Sequence, residues 1–206
     1  MNNKYDVIII GAGAAGLMCS FEAGKRGKKV CLLEHSSKIA EKIRISGGGR
    51  CNFTNLFSTD NNFISDNKHF CKSAFAKYTQ NDFIDLVKKH NIQFFEKKLG
   101  QLFCIKSAKD IIDMLVSECI SQKVEIFIDT KIKNLSKDEN SYIVNTDKGT
   151  ISSPSIVIAT GGLSIPKIGA TDFGYQIAKQ FNLKVTELTP ALVPLVFEKD
   201  ILDFCK

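Results

Sequence analysis

Long apolar runs are missing from this 206-residue sequence, and no stretch approaches the ~20 residues that cross a bilayer. Cys-x-x-Cys pairs and zinc-like spacings are missing too. The seven cysteines, at 19, 31, 51, 71, 104, 119 and 205, are odd in number and spread through apolar segments. That usage reads as reduced, mostly buried thiols in a cytoplasmic protein. Histidine is scarce: His35, His69 and His90 do not cluster, so they read as surface or capping residues and no metal site is expected. No long basic run is interleaved with aromatics. The formal net charge of +6 lies in short groups such as Lys25-Arg26-Gly27-Lys28-Lys29, the pattern of a solvated surface, and no nucleic-acid or membrane partner is expected. Repeats, low-complexity tracts and linkers are absent as well.

What is present suits a folded α/β protein. Hydrophobic residues make up 44% and charged residues 24%, enough for a core in one domain or one and a part. Tyr5 to Ile10 reads as a strand, Ala14 to Arg26 as a helix stopped by Gly27, and Val30 to Glu34 as a second strand. The run Val7–Cys19 has the look of a signal-peptide core, but Asp6 at its edge and glycines in a phosphate-binding register argue against that. After a polar loop, Leu56 to Lys68, Thr79 with Asp82 marks an N-cap and a helix to about His90. Ile92–Phe95 reads as a strand, and Ser107 with Asp110 starts another helix. Val124–Ile128 is β-like. Lys131–Ser136, Tyr142–Thr146 and Thr150–Ser153 then form a β-meander, with a hairpin signal at Asp147-Lys148-Gly149. Ser155–Ala159 is an apolar strand, Phe173–Phe181 a helix, and Lys184–Val196 holds two extended pieces.

The first strand and helix are joined by Gly11-Ala12-Gly13-Ala14-Ala15-Gly16. In this pattern the first glycine allows a tight turn, the second lets a pyrophosphate approach the backbone, and the third lets helix and sheet pack closely. The helix start favours the negative charge. Glu34, eighteen positions after Gly16, would accept hydrogen bonds from an adenosine ribose and repel a 2′-phosphate, which favours FAD or NAD over NADP. A nicotinamide domain usually continues βαβ after βαβ. Here a meander intervenes and the chain returns with Ile156-Val157-Ile158-Ala159-Thr160-Gly161-Gly162, an apolar strand ending in Thr-Gly, as in two-dinucleotide-fold flavoproteins. A third segment, Ser46-Gly47-Gly48-Gly49-Arg50-Cys51-Asn52-Phe53-Thr54-Asn55, sets three glycines before polar residues. It is either a flexible loop or a backbone against which a ligand lies.

Together with Gly100-Gln101-Leu102-Phe103-Cys104, GATDFGY from Gly169 and PALVPL from Pro190, these segments resemble the YhiN-like (BaiN-type) NAD(P)/FAD-dependent flavoprotein oxidoreductases. The resemblance covers the whole chain in order. Two departures stand out: Ala40, where the family often has glycine, and Ile105-Lys106 in place of acids. It implies an FAD-binding Rossmann-like fold, with a parallel sheet and a meander. Gly11, Gly13, Ala14, Ala15, Gly16, Glu34, Ser46 to Asn52 (Gly47, Gly48, Gly49, Arg50 and Cys51 between), Ile132, Thr160, Gly161 and Gly162 would hold the cofactor. Gly47–Gly49 would keep side chains away from the flavin ring, Arg50 and Asn52 would supply donors, and Ile132 would meet adenine through its backbone. Cys51 is expected to be a packed thiol, with no second cysteine near it in sequence. No catalytic acid or base is evident. The family's chains continue into a second domain, so residues 1–190 are expected to be an FAD/NAD(P)-binding domain without its final segment and 191–206 the start of the next domain. The expected function is the FAD-binding portion of a cytoplasmic oxidoreductase, truncated or split, whose missing half would be a separate chain. An NAD-linked dehydrogenase domain and a non-catalytic nucleotide-binding remnant stay open as alternatives.

Overall fold

The structure, a computed structural model, describes residues 4–190. In chain order it has β1 (Val7–Ile10), α1 (Ala14–Lys25), β2 (Val30–Leu33), α2 (Glu41–Gly49), β3 (Asn52–Asn55), α3 (Lys72–Lys77), α4 (Gln80–Lys89), β4 (Phe94–Glu96), β5 (Gln101–Cys104), α5 (Lys109–Ser121), β6 (Glu125–Phe127), β7 (Ile132–Lys137), β8 (Tyr142–Thr146), β9 (Gly149–Ser153), β10 (Ser155–Ile158) and α6 (Phe173–Gln180). The chain divides into two units, the first ending at Gly174 and the second beginning at Tyr175.

In the first unit the strands β10-β1-β2-β6 form a parallel sheet. Val7 pairs with Val30 on one side and with Ser155 on the other. A strand held between two neighbours with both faces covered is apolar throughout, and all four residues of β1 and of β2 are buried. One face sends Val7, Ile9 and Leu32 against Leu17 and Phe21 of α1 and Ile111 and Leu115 of α5. Burying each such side chain contributes about 1.5–3 kcal/mol. The antiparallel meander β7-β8-β9 is a separate sheet with Leu135, Val144 and Ile151 buried, and Tyr5 N–H donates to Ser152 O at its last strand. Its hairpin turns at Asp147-Lys148, as the sequence suggests.

The Thr79 cap is also present: its N–H and hydroxyl meet the Asp82 carboxylate, both at 2.6 Å, and α4 follows. The α5 start lies one residue later than the Ser107 cap would set it. Ala108 is its N-cap, while Ser107 Oγ accepts from Lys109 N–H at 3.1 Å. A third sheet, β3-β5-β4, is antiparallel and was not anticipated. Helix α6 has all but its first two residues in the second unit and is followed by Asn182, whose φ of 56° is left-handed, with Leu183 N–H donating to Ala178 O at 2.8 Å. Residues 184–190 contain no strand. The remainder of the extended stretch expected to Val196, like the second domain expected from 191, lies outside the described residues. Among the described residues no helix is long and apolar enough to cross a membrane.

Candidate functional site

The turn after β1 is fixed by contacts that only glycine allows. Gly11 has φ +101°, and a Cβ on it would stand 2.6 Å from Ala159 O at the end of β10. A Cβ on Gly16 would stand 1.8 Å from Gly11 O, so α1 sits directly on the turn. Gly13 differs: nothing lies within 4 Å of its Cβ position, which leaves the approach to the helix open. Helix α1 starts with no side-chain cap and no acid in its first turn. Its first amides, which have no intrahelical partner in any helix, thus lack a side-chain cap as well, the arrangement that suits an anion.

Glu34, just past β2, is 8% exposed. Its Oε2 accepts Ala12 N–H at 2.9 Å, and its Oε1 accepts Ser36 N–H and Ser36 Oγ–H, each at 3.0 Å. His35 Nδ1 lies 3.0 Å from the same Oε1. The carboxylate thus ties the glycine turn to the end of β2. Thr130 N–H donates to Glu34 O at 2.9 Å, joining the start of the meander to this corner. Ile132 follows two residues later, partly buried and paired with Thr146, but it does not line the cleft described below.

The three glycines after Ser46 are not a loose loop. Gly47, Gly48 and Gly49 have φ of 58°, 65° and 83°, a left-handed run that L side chains would strain. A Cβ on Gly47 would also stand 2.6 Å from the Phe103 ring and 2.8 Å from Asn52 N. The run is pinned by Cys51 N–H to Ser46 O at 3.0 Å, Ala108 N–H to Gly49 O at 2.7 Å and Cys104 N–H to Arg50 O at 2.9 Å. Cys51 is itself left-handed, with φ 51°, a strain of order 1–3 kcal/mol in a non-glycine residue. Ala40, before α2, has φ 58°, which explains physically why glycine suits that position. The glycine run is needed for its handedness.

Burial pushes the Cys51 thiol up, with a hydrogen bond from Ser46 opposing it. Cys104, distant in sequence, lies close enough for Cys51 to help burial push it up to about 12. The structure therefore supplies the second cysteine that the sequence did not show. Both thiols are protonated at neutral pH, so neither is a ready nucleophile.

Helices α1, α2, α4 and α5 and strand β3 surround a cleft of about 480 Å³. Ala14, Ala15, Lys42, Ser46, Cys51 and Asn52 contribute to its wall, which continues as the apolar Met18, Phe53, Phe83, Ile111 and Leu115. Tyr78 also lines it, its phenol raised to about 12 by burial and then by Asp82 and Glu22. Two of the three glycine segments therefore share one cleft. The third, Thr160-Gly161-Gly162, is tied to it by Lys42, whose ammonium donates to Gly162 O at 3.3 Å. Arg50 is exposed, and its guanidinium has no partner among the described residues. Lys42 was not anticipated. Its signal is its position one helical turn before Ser46, which counts only once α2 is known to be a helix.

The open Gly13, the uncapped start of α1 and the close seats at Gly11 and Gly16 fit a dinucleotide. Comparison with known proteins agrees. The family model described as HI0933-like protein Rossmann domain matches residues 5–195. Over 200 residues the chain is 49% identical to a ribosomal RNA dihydrouridine synthase of Escherichia coli K12, covering 97% of this chain and 50% of that protein. It is 24% identical to a 3-dehydro-bile acid delta(4,6)-reductase of Clostridium scindens, covering 93% of this chain and 47% of that one. Among solved structures, a flavocytochrome c3 fumarate reductase aligns with TM-score 0.59 and 19% identity, over 87% of this chain and 40% of the other, and shares the fold. The chain spans about half the length of the curated relatives it matches.

Proposed function

The chain belongs to the HI0933-like Rossmann-domain family, and from that premise we propose that it is the FAD-binding portion of a reductase that saturates a carbon–carbon double bond conjugated to a carbonyl, with uridine in ribosomal RNA as substrate. The observation that carries the cofactor part is the gathering of three glycine-bearing segments at the start of α1. For the substrate, the support is 49% identity along nearly the whole chain to an enzyme named for dihydrouridine in ribosomal RNA. The bile-acid relative is named for a different molecule but a kindred bond. In both substrates the double bond is conjugated to a carbonyl, so one chemistry serves them. This reading departs from the sequence-based expectation of no nucleic-acid partner. A net charge of +6 assists approach to RNA without conferring specificity.

When bound, FAD supplies the hydride chemistry that such a saturation requires. The chain's own residues bind and orient. The first amides of α1 would receive the pyrophosphate. Glu34, fixed by Ala12 and Ser36, would present its remaining lone pairs to the adenosine ribose, and the backbone near Ile132, joined to Glu34 through Thr130, would meet adenine. Gly47–Gly49 would offer a surface without side chains to the flavin, with Arg50 and Asn52 as donors beside it. The half of the relatives' length that this chain does not span would complete the substrate site, and a ribosomal substrate would be met in the cytoplasm.

Purification tests the reading. A yellow protein that releases FAD on denaturation supports it. NAD release points to a dehydrogenase domain instead, and a colourless folded chain that binds only adenine nucleotides points to a non-catalytic remnant. The substrate is tested by mass spectrometry of ribosomal RNA from a strain lacking the synthase, supplied with this chain and the second half of the Escherichia coli relative. Uridine that stays unreduced while the pair holds FAD would sink the RNA assignment.

A further inference from the structure

Resting on the dinucleotide reading above, we propose that Lys42 is the cation that pairs with the negative charge of the cofactor's pyrophosphate. Lys42 sits in the first turn of α2. That turn is fastened to the glycine turn by Ala40 N–H, which donates to Ala12 O at 2.9 Å. The lysine lines the cleft beside Ala14 and Ala15.

Its ammonium is not neutralised. Among the described residues its one partner is the Gly162 carbonyl at 3.3 Å, long for a charge-assisted bond. The adjacent acid, Glu41, is spent on Arg44 at 2.8 Å. A Cβ on Gly161 would stand 3.4 Å from the Lys42 nitrogen, so the ammonium lies against bare backbone. A lysine on an amphipathic helix is ordinarily a solvated residue. Here it reaches over the cleft to the loop after β10.

Two sources of positive potential meet at this point. One is the uncapped, acid-free start of α1, equivalent to roughly half an elementary charge. The other is the Lys42 ammonium. The opposite sign stands at Glu34, whose carboxylate holds Ala12 N–H. A phosphate is drawn toward Lys42 and away from Glu34, whereas a ribose hydroxyl donates to Glu34. The charge pattern therefore suits a ribose beside Glu34 and a phosphate between the start of α1 and Lys42.

The test is titration of the whole chain with FAD, ADP and adenosine. Lys42→Met is expected to weaken FAD and ADP by the same factor, about tenfold or more, and to leave adenosine unchanged. Lys42→Arg, which keeps the charge, should stay within about threefold. The salt dependence of ADP binding should be shallower in Lys42→Met than in the wild type. Unchanged FAD and ADP affinities would overturn the proposal, as would a loss confined to FAD. If Lys42→Met also loses adenosine, through a damaged fold, Lys42→Gln decides, since it retains a donor for Gly162: lost ADP affinity supports the charge role and retained affinity refutes it. A wild-type chain that binds neither FAD nor ADP would instead sink the dinucleotide reading itself.

Discussion

The Glu34 carboxylate accepts the backbone N–H of Ala12 at 2.9 Å, so the residue expected to hold the ribose also holds the glycine turn. Glu34→Ala should therefore weaken FAD binding by about 1–3 kcal/mol and lower the stability of the free chain as well. Glu34→Gln should recover part of both, because its amide oxygen still accepts from Ala12. Flavin titration and thermal melting read the two effects separately. Unchanged FAD affinity in Glu34→Ala would remove Glu34 from the site.

Gly13 and Gly16 are three residues apart and should fail in opposite ways. The Gly13 Cβ position is open, so Gly13→Asp should fold and lose FAD, through repulsion of the pyrophosphate at the helix start. The Gly16 Cβ position is 1.8 Å from Gly11 O, so even Gly16→Ala must displace the turn and should cost about 3 kcal/mol or more. Circular dichroism with flavin titration separates them. A Gly13→Asp chain that keeps FAD contradicts the phosphate assignment.

Cys51→Ser should retain flavin and its reduction in an assembled enzyme. Burial raises the thiol and keeps it protonated, and its role is to fill a tight left-handed corner. Loss of flavin reduction in a variant that still holds FAD would show instead that Cys51, with Cys104 beside it, takes part in electron transfer.

Away from the cleft, Glu118 on α5 is 5% exposed and bonds Lys89 Nζ at 2.9 Å and His90 Nε2 at 2.7 Å. The Lys89 hydrogen bond first, then that of His90, lowers its pKa below the usual carboxylate value. A carboxylate lowered by folding adds stability that is fully present above its unfolded pKa and is lost as pH falls through the folded value. Glu118→Gln should cost about 1–3 kcal/mol at pH 7 and flatten the acid limb of a plot of melting temperature against pH. An acid limb identical to wild type would show that the triad contributes nothing.

Strand β10 is an edge of the parallel sheet among the described residues, with Ile156, Val157 and Ile158 only partly buried. Open apolar edges recruit other strands. The chain should therefore self-associate on size-exclusion chromatography. Val157→Lys, which places a charge on that edge, should reduce the association, and a wild-type chain that stays monomeric would show that the edge needs no cover.

Much of this could be read from residue order alone, for identifiable reasons. Gly11 to Gly16 stand at fixed offsets between a strand and a helix, Thr79 and Asp82 form a local cap, and the meander turns at Asp147-Lys148-Gly149; each signal spans a few residues. Of the β3-β5-β4 sheet only β4 was foreshadowed, by the strand expected at Ile92–Phe95; β3 follows a glycine run and carries a register shift between Asn52 and Thr54, and its pairing with β5 is a tertiary fact. Helix α2 was masked by the glycines that end it, and Lys42 with it. Cys104 reaches Cys51 through pairing of β3 with β5, a tertiary fact that no spacing encodes.

The parallel pairing of β1 with β10 also has a consequence for how the chain is made. Val7 finds Ser155 only after nearly all of the first unit has been synthesised. Closing so long a loop is a slow, non-local step. Because Gly11 and Gly16 are seated against Ala159, the cofactor cradle takes its final form at that step. A growing polypeptide on the ribosome can complete β1-α1-β2 early, yet it stays unable to grip a dinucleotide until β10 has emerged. Flavin loading is thereby scheduled as a late event of biosynthesis.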